Sequence, residues 1–126
     1  MFKWVCWLLA AYFAMCVGLQ YNDPDPIRWM LIYGAAMVIT VLLPRTPAAV
    51  PAGYVVGLIA AVWGAYLVYR IWGLVTLGDL PKRMSEKGGA VEEEREAGGL
   101  IIAAVWLAGA SLYAGFRLHR RRATPP

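Results

Sequence analysis

The sequence is short of charged residues. Only 16% of its 126 residues are charged and 60% are hydrophobic, and the mean hydropathy is +0.55. An average soluble domain carries about 25% charged residues, so this composition excludes an ordinary soluble fold and predicts an integral membrane protein. The length allows a single domain, residues 1–126.

Cysteine and histidine are scarce. Cys6 and Cys16 stand ten residues apart, about 15 Å along a helix, which is too far for a disulfide. Neither lies in a metal-binding motif, so we expect both to pack as small apolar side chains. The one histidine, His119, excludes bis-histidine haem ligation within one chain. It also lies across the membrane from Ser85 and far in depth from Ser111, and no triad, zinc signature or phosphate loop is present.

Four apolar runs are long enough, with their flanks, to cross a membrane as helices. They cover residues of about 4–20, 27–43, 52–77 and 99–117. The first run lacks a lipobox, because Met15 stands where a small residue should precede the cysteine, and we expect it to be a retained span and not a signal peptide. The predicted fold class is all-α, an integral membrane bundle of four transmembrane helices.

The arrangement of charge predicts the orientation of this bundle. Four spans place both termini on one side, and the Lys and Arg counts on the two sides are equal at six each. However, four arginines cluster after the last span, and all eight acidic residues lie on the other side. We therefore predict that both termini and the tail 118–126 are cytoplasmic and that connections 21–26 and 78–98 face outward. The arginine-rich tail suits anionic lipid headgroups, and no nucleic-acid partner is expected.

Small residues at helical spacing predict where the helices cross closely. The candidates are Ala10, Ala14 and Gly18 in span one, Gly53, Gly57, Ala60, Ala61 and Gly64 in span three, and Ala104 and Ala108 in span four.

The connection QYNDPDP, residues 20–26, places two carboxylates between apolar runs. Asp23 as helix cap, Pro24 at the first helical position and Asp25 in the first turn would start the second helix. A cap needs one carboxylate only. Asn22 and the second carboxylate therefore also suggest a polar or cation-binding site, since oxygen ligands suit hard divalent cations.

A second acidic run, Glu92 to Glu96, precedes span four. Such runs are usually solvated and favour a helix start, but five successive charges exceed that need. Glu92 and Glu96, or Glu93 and Glu96, would share one helix face. If spans two and four are neighbours, this run meets the QYNDPDP connection. The candidate metal ligands are Asp23, Asp25, Glu93 and Glu96.

Arg70 lies near the end of the apolar third span, on one helix face with Trp63 and Tyr66. Its side chain can extend to the membrane interface or pair with a carboxylate of either acidic stretch. Trp29 and Tyr33, one turn apart in span two, can line the same outward pocket or belong to an interfacial aromatic belt.

Two motifs together resemble the transmembrane protein 220 family. One is Asn22-Asp23-Pro24-Asp25 followed by Trp29 and Tyr33, and the other is EEEREAGGLII, residues 92–102. Span three, which ends on Tyr69-Arg70, is similar in character. The resemblance covers most of the chain and implies a small multi-span membrane protein, without implying any biochemical activity.

These features predict a non-enzymatic role. The expected polar site comprises Asn22, Asp23, Asp25, Trp29, Tyr33, Tyr66, Arg70, Glu92, Glu93 and Glu96. The first hypothesis is an accessory or scaffolding subunit that packs against a membrane partner or its own copies, with the polar site as a salt-bridged latch. The second is a binding protein or small transporter for a divalent cation or cationic ligand. The third and weakest is a carboxylate-based enzyme acting on lipid. No catalytic residue is assigned, and a divalent cation is the one candidate cofactor.

Overall fold

The chain is helical along nearly all of its described length. The computed structural model describes residues 1–74, 78 and 90–124. Its elements are α1 (Phe2–Leu19), a 3₁₀ turn (Gln20–Asn22), α2 (Pro26–Leu42), α3 (Ala49–Ile71) and α4 (Ala90–Ala123). No strand occurs in these residues, so the all-α prediction is confirmed.

The helices have the length and composition of membrane spans. Helices α1, α3 and α4 are each long and apolar enough to cross a bilayer. Helix α2 is apolar over 17 residues, about 26 Å at 1.5 Å per residue, which is at the short end of the range for a span. Backbone groups inside lipid must hydrogen-bond within their own segment, and helices achieve this. The protein is an integral membrane four-helix bundle; which end faces the cytoplasm stays a prediction.

Helix boundaries differ from the predicted spans at the charged ends. Helix α4 starts at Ala90, so residues 90–98 are helical and do not belong to an outer loop as predicted. The same helix continues to Ala123, through most of the predicted tail. Glutamate and arginine are good helix formers, which explains why charge does not end this helix. Helix α3 ends at Ile71, and residues 75–77 of the predicted third span lie outside the described residues.

Helix α2 starts two residues later than predicted. Pro26, and not Pro24, occupies its first position, and Asp25 precedes it. A residue before proline is disfavoured in helical geometry, so Pro26 prevents Asp25 from joining the helix. Asp23 instead accepts a hydrogen bond at Oδ1 from the Asp25 N–H, at 2.8 Å, in an Asx-type turn. The interpretation of Asp23 as the helix cap was therefore wrong.

Helices α3 and α4 form the most extensive contact among the described elements. A Cβ atom at Gly57 would lie only 3.3 Å from Leu107 Cβ and 3.6 Å from the Ala104 carbonyl oxygen. One at Gly64 would lie 3.2 Å from Leu100 Cβ. Glycine therefore permits the close approach of the two backbones, as the small-residue pattern predicted for span three.

The small residues of α1 behave differently. Ala10 is buried, whereas Ala14 and Gly18 are exposed, and no atom would lie within 4 Å of a Cβ at Gly18. Spacing alone thus does not decide which stripe of small residues is buried.

Helix α2 is joined to α4 by a hydrogen bond of 2.9 Å from Trp106 Nε1 to Thr40 Oγ1.

We predict that Gly57→Val lowers the free energy of unfolding, because its branched side chain must push α3 away from α4. Overpacking of this kind costs about 1–3 kcal/mol. The measurement is unfolding by titration of a mild-detergent solution with sodium dodecyl sulfate. Gly109→Val is the matched control, because no atom lies within 4 Å of a Cβ at that position. Equal losses in the two variants would contradict the close crossing.

Candidate functional site

Three carboxylates converge at one end of the bundle, which we call the acidic end. It comprises the turn before α2, the end of α3 and the start of α4. Asp23 in the turn and Glu92 and Glu96 in α4 each offer an oxygen atom, and these atoms all lie within 4.8 Å of one another. The three residues are partly buried. We call them the carboxylate cluster; glutamates four apart share a helix face, and the turn brings the aspartate to that face.

Two of the four predicted metal ligands lie outside this cluster. Asp25 Oδ2 is 3.1 Å from Arg28 Nη2, and both side chains are exposed. Glu93 Oε1 is 3.0 Å from Arg70 Nη2. Successive residues of a helix point about 100° apart, so Glu93 faces α3 while its neighbour Glu92 faces the turn.

The pair Arg70–Glu93 joins α3 to α4, and we call it the latch. The Arg70 side chain is 51% exposed and that of Glu93 is 24% exposed. The Arg70 guanidinium carbon also lies 6.0 Å from the ring centroid of Tyr66, within range of a cation–π contact. Of the two interpretations of Arg70, pairing with a glutamate of the acidic run is the one that the geometry supports.

Trp29 and Tyr33 are buried and do not line an open pocket. Their exposed fractions are 1% and 4%. Trp29 stacks on Trp63, with ring centroids 4.5 Å apart and an interplanar angle of 21°. The Tyr33 hydroxyl contacts Gly99, where the missing side chain makes room for it. The helix face that holds both residues therefore points into the bundle beneath the acidic end. Asn22, by contrast, is exposed in the 3₁₀ turn.

Comparison with known proteins identifies the family. The sequence model of a protein family described as "Transmembrane family 220, helix" matches residues 12–111. The chain belongs to transmembrane family 220. This confirms the resemblance seen in the sequence, and the matched range contains both the latch and the carboxylate cluster. No solved structure matches the chain. In this member of transmembrane family 220, the two motifs that carried the resemblance meet at the acidic end.

Sequence reasoning missed the part played by Arg28. Besides its ion pair with Asp25, its guanidinium carbon lies 5.7 Å from the rings of both Trp29 and Trp63. The sequence did contain a signal for the ion pair, because Arg28 follows Asp25 by three residues at the start of a helix, a spacing at which side chains meet. Arg28 thus connects the turn to the aromatic core of this family 220 protein.

Glu96 has an unusual proton affinity. It lies in α4 before the predicted membrane span. Burial, and then the negative charges of Glu92 and Asp23, raise the pKa of Glu96 from its ordinary value of 4.5 to about 7, while Arg28 acts in the opposite direction. A carboxyl group that is desolvated beside other carboxylates resists ionisation. Glu96 of this family 220 protein therefore exchanges a proton near neutral pH.

We predict that the free energy of unfolding falls as the pH rises from about 4.5 to about 7. In that range the folded state holds a proton on Glu96 that the unfolded state releases, so raising the pH favours unfolding. Detergent unfolding at a series of pH values measures this slope. All measurements use protein that also carries His119→Gln, because this change removes the single histidine, a side chain type that also titrates near neutral pH. Glu96→Gln should flatten the curve, and an unchanged slope in that variant would refute the assignment.

Proposed function

We propose that this member of transmembrane family 220 is a non-enzymatic accessory or scaffolding subunit, which packs in the bilayer against a membrane protein partner or its own copies. The observation that carries this proposal is the latch, the ion pair of 3.0 Å between Arg70 and Glu93. It commits the arginine of α3 to an internal contact that stabilises the bundle. An ionisable residue near a membrane-spanning segment commonly has such a partner.

The packing beneath the latch supports the same role. The rings of Trp29, Trp63 and Tyr33 fill the space between the helices. The grooves beside Arg70 and Asp25 are open depressions of the surface, whereas small-molecule sites typically enclose most of their ligand. A filled, ion-paired end is suited to holding a shape that a partner recognises.

Chemistry on a lipid has less support. Ser111 is fully buried, and among the described residues its hydroxyl has no hydrogen-bond partner that could act as a base. We therefore retain the non-enzymatic role.

The latch predicts a measurable coupling between its two residues. Arg70→Gln and Glu93→Gln should each lower the free energy of unfolding. The loss in the double variant should be smaller than the sum of the two single losses, and this difference should reach up to about 1 kcal/mol for a partly exposed pair. In native membranes solubilised gently, the wild-type protein should migrate in an assembly larger than a single chain in the same detergent.

The matched control replaces Glu92, the neighbouring glutamate that faces the turn. The losses in free energy of unfolding caused by Arg70→Gln and Glu92→Gln should be additive. Coupling as large as that of the latch pair would show a diffuse charge effect. Migration of the wild-type protein at the size of a single chain in that detergent would count against an accessory role.

A second candidate function is divalent-cation binding at the carboxylate cluster. The observation that favours it is the convergence of three carboxylate oxygens within 4.8 Å. Arg28 pairs with Asp25 and Arg70 pairs with Glu93, and both of these carboxylates lie outside the cluster. Hard cations such as calcium, magnesium and manganese prefer such oxygen ligands.

Binding of manganese to the purified protein tests this candidate, because the ion is followed directly by electron paramagnetic resonance. We expect saturable binding that Glu92→Gln with Glu96→Gln abolishes. Glu93→Gln removes one negative charge from the same helix but belongs to the latch, so it should retain binding. Absence of saturable binding in the wild-type protein would exclude the cation site.

A further inference from the structure

The end of the bundle opposite the carboxylate cluster is strongly positive, and we call it the basic end. Arg117 and residues 120–122, all arginine, lie in the last turns of α4, and Arg45 lies in the connection from α2 to α3. All five are exposed. The acidic residues of the described chain lie at the other end, and none of these five arginines has an ion-pair partner among the described residues.

The length of α4 places these arginines at the depth of lipid headgroups. The helix has 34 residues, about 51 Å at 1.5 Å per residue, whereas the hydrocarbon core is about 30 Å thick. Its uncharged stretch runs from Ala97 to Phe116, 20 residues, or about 30 Å. Residues 117–123 therefore extend about 10 Å beyond the hydrocarbon as a continuous helix.

Aromatic rings orient the guanidinium groups at this level. Arg117 lies 5.8 Å from the ring centroid of Tyr113, and Arg120 lies 5.5 Å from that of Phe116. A cation–π contact uses the face of the guanidinium group. The N–H groups at its edge stay free to bind phosphate oxygens, which they do with good geometry.

A cleft opens at the basic end between the start of α3 and the end of α4. Its volume is about 250 Å³. Val50, Pro51 and Leu118 contribute apolar walls, while His119 and Arg122 contribute polar groups. The two polar residues are three apart and share one face of α4. The adjacent Arg121 does not line the cleft.

We propose that this cleft binds the headgroup of an anionic phospholipid. Arg122 and His119 donate hydrogen bonds to the phosphate oxygens, and the apolar walls contact the glycerol and upper acyl region. The walls favour a lipid over free phosphate, because an inorganic ion gains nothing from apolar contact. The proposal depends on neither the latch nor the carboxylate cluster, so its test is independent of the test of the proposed function.

Lipid retention by the full-length protein tests this site. The purified protein is equilibrated in micelles that contain equal amounts of phosphatidylglycerol and phosphatidylcholine, and the bound lipids are counted by native mass spectrometry. Wild-type protein should retain phosphatidylglycerol preferentially. Arg122→Gln should reduce that preference about tenfold, the usual effect of losing one hydrogen bond to a charged group, and His119→Gln should also reduce it.

Arg121→Gln is the matched control, because it removes the same charge one residue away from the cleft. It should keep the preference, and its melting temperature and that of Arg122→Gln in phosphatidylcholine should equal the wild-type value. Inorganic phosphate should not displace the lipid. Equal retention of both lipids by the wild-type protein would overturn the proposal. So would an equal loss in Arg121→Gln, which indicates a diffuse charge effect, or displacement by inorganic phosphate, which indicates an ion site.

Discussion

The close contact between α3 and α4 determines where the charged groups of the acidic end lie. Within lipid, helices associate through van der Waals packing, because lipid tails are as apolar as the side chains themselves. Gly57 and Gly64 let the backbone of α4 approach, and this contact sets the rotation of α4 about its axis. With that rotation set, Glu93 faces Arg70. Glu92 and Glu96 face Asp23 in the connection before α2.

One residue step therefore separates two kinds of site. Glu93 is neutralised by an arginine across the helix contact. Glu96 shares the other face with like charges, and its raised pKa records that repulsion together with the loss of water. The first arrangement stabilises a structure, and the second concentrates carboxylates so that Glu96 holds a proton up to near neutral pH. The two proposed functions follow from these two faces of one helix.

Helix α4 carries opposite charges at its two ends, and each end has a different chemical partner. The acidic end meets residues of the same chain, in the turn and in α3. The arginines of the basic end have no carboxylate partner within ion-pair distance among the described residues. They lie on a helix that is longer than the hydrocarbon core is thick, so the phosphate layer of the bilayer is the anionic surface within their reach.

Composition and local pattern in the sequence determined the membrane class, the four apolar helices, the family and the glycine stripe of α3, because each depends on neighbours along the chain. The start of α2 was also readable there, since Pro26 bars the residue before it from the helix. Only the tertiary structure decided that Glu93 pairs with Arg70, that Asp25 leaves the cluster, and that Trp29 and Tyr33 are buried. These depend on how far each helix is rotated toward its neighbours, and packing between distant segments sets that angle.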